Sequence, residues 1–503
     1  MENNLLFQGL LALPFIGAII VYLLGRIALR QQKQWGVSLS RALTVLFLLI
    51  EACLLYFLVT DALAGNNVSM DVGEVSLMLD GIGLLLSVVV IFLGLMVTLF
   101  SIEYMDGDQG EEKFYALLLC TIGSIIGLGL SFDLFTLWIW FEAMAISTFL
   151  LVAFYNEEPA SLEAGIKYLV QSAVGSALVL FGIALIFAHT GSTHLVYVWQ
   201  LSSDFAPMTV VGGVLLIIGF GVKAAMVPMH TWLPDAHSQA PSGISAMLSG
   251  VVIEAGLVAM LRVLSFMGKI EFNWGAVLLG FGLLNILVGN LMALRQKEVK
   301  RLLAYSSLAH VGYMLAGFGF GFLFGQGDGA AGGFFHLITH SLMKGLAFLA
   351  AGALLYALHL SHKEHSPLTL NDLNGASRKY PLVAFALSVA VLALGGLPPM
   401  AGFMSKWQIL AAGVSSTEPW VLFVVVFIAL NSVLSLAYYA PIVNRLYRRE
   451  QSSTVENGNP IPIFMVVPLV ILVLAVVLIG VWPALLNFFT DKAMVSLLYT
   501  FFY

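Results

Sequence analysis

Ionisable side chains interrupt several otherwise apolar stretches of this sequence, and they are the residues best placed to do chemistry. Lys223, Lys344 and Lys406 each lie inside such a stretch, as do Glu142 and Glu254. A charge at the centre of a lipid bilayer costs about 2.5–3.5 kcal/mol on insertion scales, so such side chains normally face the protein interior and carry function. We therefore expect them to conduct protons or a coupled cation.

A second group of titratable residues is spaced to share one helix face. His336, His340 and Lys344 follow one another at four-residue intervals, which places them on one stripe of a helix. Histidine titrates near neutrality and passes protons to neighbours through water. The stripe predicts a proton relay rather than packing, and two histidines on a single helix do not favour a bis-histidine haem site. His310 is either a further relay member or a plain helix–helix hydrogen bond.

Glu142 and Lys223 are predicted to form a pair. Burial destabilises the charged form of a lysine, and a nearby carboxylate restores it. A change in the separation of the two side chains would therefore make the lysine take up or release a proton. The alternative for Glu142 is a structural hydrogen bond to a neighbouring helix.

Other charged residues inside predicted spans have plainer alternatives. Lys167 has Glu163 one turn earlier, so it either forms an ordinary pair at the cytoplasmic end or tunes Glu142. Arg262 is near a predicted helix end and is expected to extend to the membrane interface. Glu51 has no partner that the sequence identifies.

Three polar residues flank a proline-rich segment near the predicted cytoplasmic side. His230, Asp235 and His237 shape either a proton entrance or only a solvated loop. No Gly-rich phosphate loop, metal cluster or iron–sulfur pattern stands out, and Cys53 and Cys120 fit no metal or redox spacing. We expect no cofactor and no metal in this chain, and no basic cluster favours a nucleic-acid partner.

The elements that position these residues are predicted to be membrane-spanning helices. Of the 503 residues, 60% are hydrophobic and 10% are charged, against roughly 25% charged in ordinary soluble domains. The first apolar run lacks a basic n-region and a cleavage site, so it is expected to be a retained helix. Stretches long enough to span a bilayer are predicted at about 5–25, 42–64, 80–101, 114–131, 133–154, 161–188, 209–227, 242–266, 275–294, 301–324, 331–358, 381–413, 419–444 and 461–484.

The basic residues of the loops predict the orientation. Alternate loops contain only Lys269 and Lys492, and the other set contains Arg26, Arg30, Lys33, Arg41, Lys113, Arg295, Lys297, Lys300, Arg301, Lys363, Arg378, Lys379, Arg445, Arg448 and Arg449. Cytoplasmic loops carry an excess of lysine and arginine. The basic set is therefore predicted to be cytoplasmic, with both termini on the non-cytoplasmic side.

Two spans are predicted to be broken by proline. Pro228 and Pro234 follow Lys223, and Pro398 and Pro399 precede Lys406. A break at membrane depth survives only beside a polar cavity. The two breaks occupy matching places in successive five-helix sets, which is typical of inverted repeats.

The sequence thus predicts an all-α membrane protein with a single membrane domain, 1–503, and about fourteen transmembrane helices. Its expected parts are three N-terminal helices in 1–110, a first five-helix repeat in 111–267, a second in 268–450, and a last helix with a short C-terminal tail in 451–503. Each repeat contains one broken helix. The lipid bilayer is the expected surrounding.

Five motifs carry a resemblance to a known family. They are WIWFEAMAISTFLLVAF around Glu142, KAAMVPMHTWLPDAHSQAPSGISAMLSG from Lys223, LAYSSLAHVGYML around His310, HLITHSLMKGLAFLAAG around Lys344 and LPPMAGFMSKW around Lys406. Together they resemble the antiporter-like subunits of respiratory complex I. That family also includes subunits of multisubunit Mrp-type Na⁺/H⁺ antiporters and membrane-bound hydrogenases.

The resemblance implies a role for each matching residue. Glu142 and Lys223 would form a regulatory ion pair, His336, His340 and Lys344 the central relay, and Lys406 the exit-side lysine. Glu254 stands where the family commonly has lysine. It either carries a proton, locks Lys223 in its charged form, or forms part of a cation site; we favour a working relay.

Three functions compete at this point. The first is a proton-translocating, non-redox subunit of a redox-driven translocase of the NADH:quinone oxidoreductase or hydrogenase type, with the electron chemistry in partner subunits. The second is a subunit of an Mrp-type Na⁺/H⁺ antiporter without electron transfer, and the third is an independent solute transporter. In the first two, the expected partners are other membrane subunits, further antiporter-like subunits among them, in a bacterial or archaeal inner membrane or an energy-transducing organelle membrane.

Overall fold

The chain forms helices almost throughout in a computed structural model that describes residues 2–30, 35–63, 69–72, 75–201, 207–270, 272–362, 366–416 and 418–502. Lys33 and Lys363 of the loop set lie outside the described residues. In chain order the α-helices are α1 Glu2–Arg30, α2 Trp35–Leu63, α3 Gly81–Tyr104, α4 Glu111–Leu130, α5 Leu134–Val152, α6 Pro159–Thr190, α7 Leu195–Leu201, α8 Pro207–Lys223, α9 Trp232–Gln239, α10 Ser242–Met247, α11 Ile253–Ser265, α12 Trp274–Ala293, α13 Val299–Phe324, α14 Gly327–Leu358, α15 Pro381–Gly395, α16 Ala401–Val414, α17 Pro419–Leu446, α18 Ser453–Asn457, α19 Ile463–Val481 and α20 Asn487–Phe502.

The predicted all-helical membrane fold is confirmed. A π-helical segment, Leu248–Val252, joins α10 to α11, and among the described residues 12 helices, this joined one included, are long and apolar enough to cross a membrane. The two shorter apolar helices, α8 and α15, are the first halves of the two predicted broken spans. The total of fourteen crossings and the inverted repeats stay predictions.

Burial orders the helices from centre to periphery. The joined helix α10–α11 and helices α13 and α14 are almost entirely buried, whereas only about a third of α1 and α2 is buried. Apolar side chains that face outward are stable only in lipid, so α1 and α2 are suited to a membrane boundary. The titratable stripe lies on α14, in the buried centre.

The first break is closed by a side chain that the sequence analysis missed. Asn285 of α12 accepts a hydrogen bond from the Val227 amide at 2.8 Å and donates to the Ala225 carbonyl at 3.3 Å. The Trp232 indole donates to the Val222 carbonyl at 2.8 Å. Because unpaired backbone groups are costly at membrane depth, these bonds make the break tolerable.

The second break is closed by its own lysine. Helix α15 ends at Gly395 and is followed by Gly396, whose φ of +83° is the left-handed conformation that glycine adopts without strain. The Lys406 ammonium donates to the Leu394 carbonyl at 2.8 Å. The carboxyl end of a helix carries partial negative charge and stabilises a cation, so this lysine both closes the helix end and is stabilised by it.

Arg262 is buried within the protein and paired, which the sequence did not predict. Its side chain is 1% exposed and forms a salt bridge at 2.8 Å with Asp80, which caps the start of α3. It also donates to the Gly129 carbonyl at 2.7 Å, at the end of α4. Arg262 therefore ties three helix ends together.

Small elements absent from the sequence prediction lie at the helix ends. Strands Ser69–Val72 and Val75–Met78 form an antiparallel hairpin. The tail that was expected to follow the last span contains α20, which packs on α3, where the Ser496 hydroxyl accepts from the Gly81 amide at 3.0 Å. Helices α7, α9 and α18 are too short for periodicity to predict.

We predict that Asn285→Leu destabilises the assembled protein by about 2–5 kcal/mol, because it leaves a buried backbone donor and acceptor unpaired. Thermal unfolding of the detergent-solubilised complex measures the loss. The control is Asn273→Ala, which removes only the exposed cap of the same helix and is expected to cost about 1 kcal/mol. Equal losses in the two variants would contradict this role of Asn285.

Candidate functional site: a line of buried ionisable residues

Lys223 is the last residue of α8 and is fully enclosed. Its ammonium donates to the Tyr168 hydroxyl of α6 at 2.6 Å and to Thr148 Oγ1 of α5 at 3.4 Å. The Tyr168 ring stacks on Trp232 with centroids 4.1 Å apart, so the hydroxyl is held in place. Neutral oxygen dipoles and the carboxyl end of α8 therefore stabilise the cation.

Glu142 is not in contact with Lys223. No carboxylate oxygen of any described residue lies within 4.0 Å of the Lys223 ammonium. The Oε1 atom of Glu142 is buried and has no hydrogen-bond partner among the described residues. The regulatory pair stays a prediction, and its two members are separated here.

Glu254, which stands where the family commonly has lysine, is paired with a histidine. Its Oε1 lies 2.7 Å from His340 Nδ1, and both side chains are 0% exposed. Its Oε2 accepts from the Ser341 hydroxyl at 3.2 Å. Glu254 is the second residue of α11, which follows the π-helical segment directly, and such an irregularity is frequent at functional sites.

Two further imidazoles continue from this pair toward α16. The His340 ring lies 5.1 Å from the His310 ring, centroid to centroid. His310 Nδ1 is 3.0 Å from His336 Nε2, and His336 Nδ1 is 2.8 Å from the Ser405 hydroxyl. Ser405 immediately precedes Lys406 in α16. His310 thus lies between the two histidines of α14. The sequence had left open whether His310 joins the relay or forms a plain helix–helix hydrogen bond.

Lys344 branches from the line on the other side of His340. Its ammonium donates to the Leu303 carbonyl at 2.7 Å and to the Ser306 hydroxyl, both on α13. Lys406 lies over the face of Tyr313 with its ammonium 4.8 Å from the ring centroid. A ring face attracts a cation, so each lysine has dipole partners that do not titrate near neutrality.

A small cavity opens at the end of the bundle where α13 begins, which we call the basic end. It holds about 240 Å³ and is lined in part by Glu298 and Lys300. The Lys300 ammonium donates to the Ala240 carbonyl at 2.5 Å. Beyond this contact lies His237, which is fully buried and has no hydrogen-bond partner for either ring nitrogen among the described residues.

His237 directly precedes two residues that line the cavity, Ser238 and Gln239, and packs against α14. Its ring stacks on Phe348 with centroids 4.7 Å apart, and Phe348 lies one turn after Lys344. The side chain is therefore buried against α14 rather than exposed in a solvated loop, and its part in a proton entrance stays a prediction. His230, by contrast, is half-buried in the turn before α9, and its Nδ1 has no partner within the described part of the chain.

Lys167 forms the plain pair and one further contact. Its ammonium lies 2.7 Å from Glu163 and 2.9 Å from Asp235, which in turn contacts Arg301 at 2.8 Å. All of these side chains are at least partly exposed. The network lies at the basic end, where such pairs are worth little individually. A tuning role toward Glu142 stays a prediction.

Glu51 remains without a partner in the described structure. Its side chain is 0% exposed on α2, and neither carboxylate oxygen has a hydrogen bond among the described residues. The described residues likewise contain no group of three or more His, Cys, Asp or Glu side chains that could hold a metal ion.

The partners that the sequence analysis missed share one signal. Ser341 follows His340, Ser405 precedes Lys406, and Tyr168 follows Lys167. Each is a hydroxyl next to an ionisable residue in an apolar helix, a pattern that was readable. The pairing of Ser306 with Lys344 was not readable, because it depends on how α13 and α14 cross.

Together these side chains can move protons in steps. Hydrogen bonds join Glu254 to His340 and His310 through His336 to Ser405. Four intervals lack a direct hydrogen bond among the described residues: that from His340 to His310, that from Lys223 to Glu254, that from Lys344 to His340, and that from Ser405 to Lys406. The second is short along the helices, since the backbone of Lys223 lies against Gly256, where an added Cβ would meet Lys223 Cβ at 2.9 Å.

Comparison with known sequences gives consistent matches. Residues 131–435 match the family described as NADH:quinone oxidoreductase/Mrp antiporter, TM, and residues 70–115 match the N-terminus of NADH-ubiquinone oxidoreductase (complex I) chain 5. The chain is 32% identical over 425 residues to F(420)H(2) dehydrogenase subunit N of Methanosarcina mazei, covering 83% of this chain and 84% of that protein. It is 31% identical over 433 residues to NADH-quinone oxidoreductase subunit N of Chloroflexus aggregans, covering 84% and 85%.

Solved structures share the fold over nearly the whole chain. A chain of the membrane-bound sulfane sulfur reductase, an archaeal respiratory membrane complex, matches with a TM-score of 0.87 at 27% identity, covering 98% of this chain and 97% of that one. A chain of respiratory complex I from Thermus thermophilus matches with a TM-score of 0.75 at 27% identity, covering 95% and 98%. A chain of the Mrp complex from Dietzia sp., at 20% identity, shares the fold with a TM-score of 0.84, covering 99% and 98%.

The profile match alone spans more than half of the chain, and relatives above 30% identity cover more than four fifths of it. It is an integral, multi-pass membrane protein and belongs to the NADH:quinone oxidoreductase/Mrp antiporter family of membrane subunits.

Proposed function

We propose that this chain is a proton-translocating membrane subunit of a redox-driven complex of the quinone oxidoreductase type. The observation that carries the proposal is the buried line from Glu254 through three histidines to Lys406. Ionisable side chains are rare at membrane depth unless they conduct. Electrons would move in partner subunits, and this chain would hold no cofactor and no metal.

Protons enter at the basic end in this proposal. Lys300 at the cavity and the unpartnered nitrogens of His237 form the entrance, and Lys344 receives the proton next. The proton then reaches the Glu254–His340 pair, passes His310 and His336, and leaves by Lys406 toward the opposite end. Water fills the interval between His340 and His310 during transfer.

The electrostatic trigger is the pair of Glu142 and Lys223. Lys223 is held by neutral oxygens while Glu142 is out of contact. If a neighbouring subunit moves Glu142 toward it, Lys223 keeps a proton more tightly. Its positive charge then repels protons on the Glu254–His340 pair and drives them along the line.

The side of the membrane and the partners follow from the same proposal. The loops rich in lysine and arginine face the cytoplasm, and both termini lie on the opposite side. The membrane is a bacterial or archaeal inner membrane. Relatives named as subunits of a dehydrogenase and of an oxidoreductase support assembly with other membrane subunits, further antiporter-like chains among them.

A subunit of an Mrp-type antiporter is the second candidate, favoured by the shared fold with the Mrp complex. The two candidate functions are distinguished by an experiment on the intact complex, which is isolated through a tag on this chain. Quinone reduction that acidifies or alkalinises sealed vesicles, and that is insensitive to sodium, supports the redox complex. Sodium-driven proton movement without a quinone reaction would replace it with the antiporter.

We predict that Lys344→Ala and Lys223→Ala each lower coupled proton movement at least tenfold in assembled complex, since each breaks the line or its trigger and 1.36 kcal/mol of barrier is a factor of about ten. Glu142→Ala is expected to act in the same way. The measurement is the initial rate of dye-reported proton movement in proteoliposomes, with assembly checked on native gels.

The control for these lysine variants is Lys492→Ala, an exposed residue of α20. It is expected to leave the rate within about twofold, as surface substitutions normally do. Wild-type rates in assembled Lys344→Ala and Lys223→Ala complexes would reject the conducting line.

We predict that Glu254→Lys lowers the rate more than Glu254→Gln does. The lysine would place a cation against His340 Nδ1, where the carboxylate now lies at 2.7 Å, and like charges disfavour the protonated histidine. Glutamine removes the exchangeable proton but adds no charge. Proton movement in the two assembled variants, measured in parallel, decides this, and a fully active Glu254→Lys protein would contradict the role given to the pair.

We predict that His237→Phe slows proton uptake from the basic end about tenfold or more. Phenylalanine keeps the stacking on Phe348 but has no titratable nitrogen, so the fold is preserved. The matched control, Phe348→His, alters the same stacked pair without removing His237. Uptake that is unchanged in His237→Phe would move the entrance away from this cavity.

A further inference from the structure

The Ser341 hydroxyl contacts two acceptors at once, and the proposed relay gives this hydroxyl no role. Its hydroxyl oxygen lies within hydrogen-bonding distance of two acceptors, Glu254 Oε2 at 3.2 Å and the Gly250 carbonyl. A serine hydroxyl carries a single hydrogen. It can therefore donate to only one of the two at a time.

The two acceptors change rank when Glu254 changes its charge. An ionised carboxylate is a stronger acceptor than a peptide carbonyl, because hydrogen bonds to ions are roughly twice as strong. A protonated carboxyl group shares its hydrogen with His340 Nδ1 through Oε1, and its Oε2 becomes an uncharged carbonyl oxygen. The peptide carbonyl of Gly250 is then the better acceptor.

We infer that Ser341 is a positioning residue whose hydroxyl turns from Gly250 to Glu254 when Glu254 gives its proton to His340, and turns back when the proton is replaced. The inference rests on the proposed function and deepens it. In this inference, the proton passes from Glu254 to His340 when the Ser341 hydroxyl rotates toward the carboxylate.

The proton step is balanced. The Oε1–H bond of Glu254 breaks and an Nδ1–H bond forms on His340, which leaves a carboxylate and an imidazolium. The imidazolium releases its Nε2 proton toward His310, whose ring is 5.1 Å away. His340 Nε2 has no hydrogen-bond partner in the described structure, so that proton is free to leave.

The absence of a side chain at Gly250 permits the close approach that this contact needs. It lies in the π-helical segment, where Ile253 donates to the Leu248 carbonyl and so departs from the i−4 pattern of an α-helix. A Cβ at Gly250 would meet Leu93 Cδ2 at 2.6 Å and the Ser341 carbonyl at 3.1 Å. Glycine therefore lets the backbone of α14 approach closely enough for the Ser341 hydroxyl to reach both acceptors.

The charged surroundings of Glu254 come from several helices. The π-helical segment and α11 pack on α3, α4, α5, α8, α14 and α20. Helix α3 presents no ionisable group between Gly83 and Phe100. The titratable groups of the other packed elements are Lys223 of α8, Glu142 of α5, Glu111, Glu112, Lys113, Tyr115 and Cys120 of α4, Asp491, Lys492 and Tyr499 of α20, and Asp328, His336, His340, Lys344 and Tyr356 of α14; the adjoining α13 adds His310.

The test compares Ser341→Ala with Ser341→Thr in assembled complex. Without the hydroxyl, the carboxylate formed at Glu254 keeps only His340 as a partner, so the transfer state is less stable. We expect Ser341→Ala to slow proton movement about tenfold and to shift its pH–rate profile about one unit toward higher pH. Ser341→Thr keeps a hydroxyl and is expected to stay within about twofold of wild type in rate, with an unshifted profile.

Thr339→Val is the matched control. Thr339 is also fully buried on α14, but its hydroxyl donates only within its own helix, to Phe335 and His336 carbonyls. It should leave the pH–rate profile in place. If Ser341→Ala slows transport without moving the profile, as a packing defect in Thr339→Val would, the hydroxyl is structural and the inference fails.

An infrared measurement reads the same event without turnover. The carbonyl band of a protonated buried carboxyl group, assigned by its loss in Glu254→Gln, should persist to higher pH in Ser341→Ala than in wild type. A band with identical pH dependence in both proteins would overturn the inference. If Ser341→Ala has no effect on proton movement while Lys344→Ala is inactive, only the hydroxyl switch is rejected. If neither substitution has an effect, the conducting line is rejected.

Discussion

The cost of holding a cation at membrane depth shapes this protein, and neutral dipoles rather than carboxylates meet that cost. The ammonium groups of Lys223, Lys344 and Lys406 contact hydroxyl and carbonyl oxygens. None of the three has a carboxylate oxygen of a described residue within 4.0 Å. A buried salt bridge would hold each charge firmly, because removing one partner's charge strands the other. Dipoles stabilise the cation and still allow the lysine to lose its proton.

The broken helices follow from that requirement. Carbonyls inside an intact helix already accept hydrogen bonds from their own helix, whereas the last carbonyls of a helix have no intrahelical partner. Ending α15 at Gly395 frees the Leu394 carbonyl for Lys406, and ending α8 at Lys223 places that ammonium at a helix carboxyl end. The break then exposes other backbone groups, which Asn285 and Trp232 satisfy in the first case. Function and fold stability therefore meet at the same residues.

Much of this was readable from the sequence, and the failures have physical reasons. Hydropathy located the long spans because lipid leaves helices little freedom in length, and proline located both breaks. The intramembrane charges were found because they are rare. Spacing along one helix could not tell that His310 of α13 lies between His336 and His340, nor that Arg262 turns inward to Asp80. Those facts depend on how separate helices cross, which periodicity does not encode.

The same limit explains why Glu254 was hard to interpret as a substitution for lysine. A lone acid opposite Lys223 would either neutralise it or block it. Paired with His340 it does neither, because a carboxyl–imidazole pair can move its proton internally between a neutral and a zwitterionic form without changing its total charge. The electric field that the pair exerts at Lys223 therefore changes little while the proton moves within the pair. It changes strongly when the proton leaves the pair for His310. Transfer onward, rather than transfer within the pair, is therefore the step that Lys223 controls.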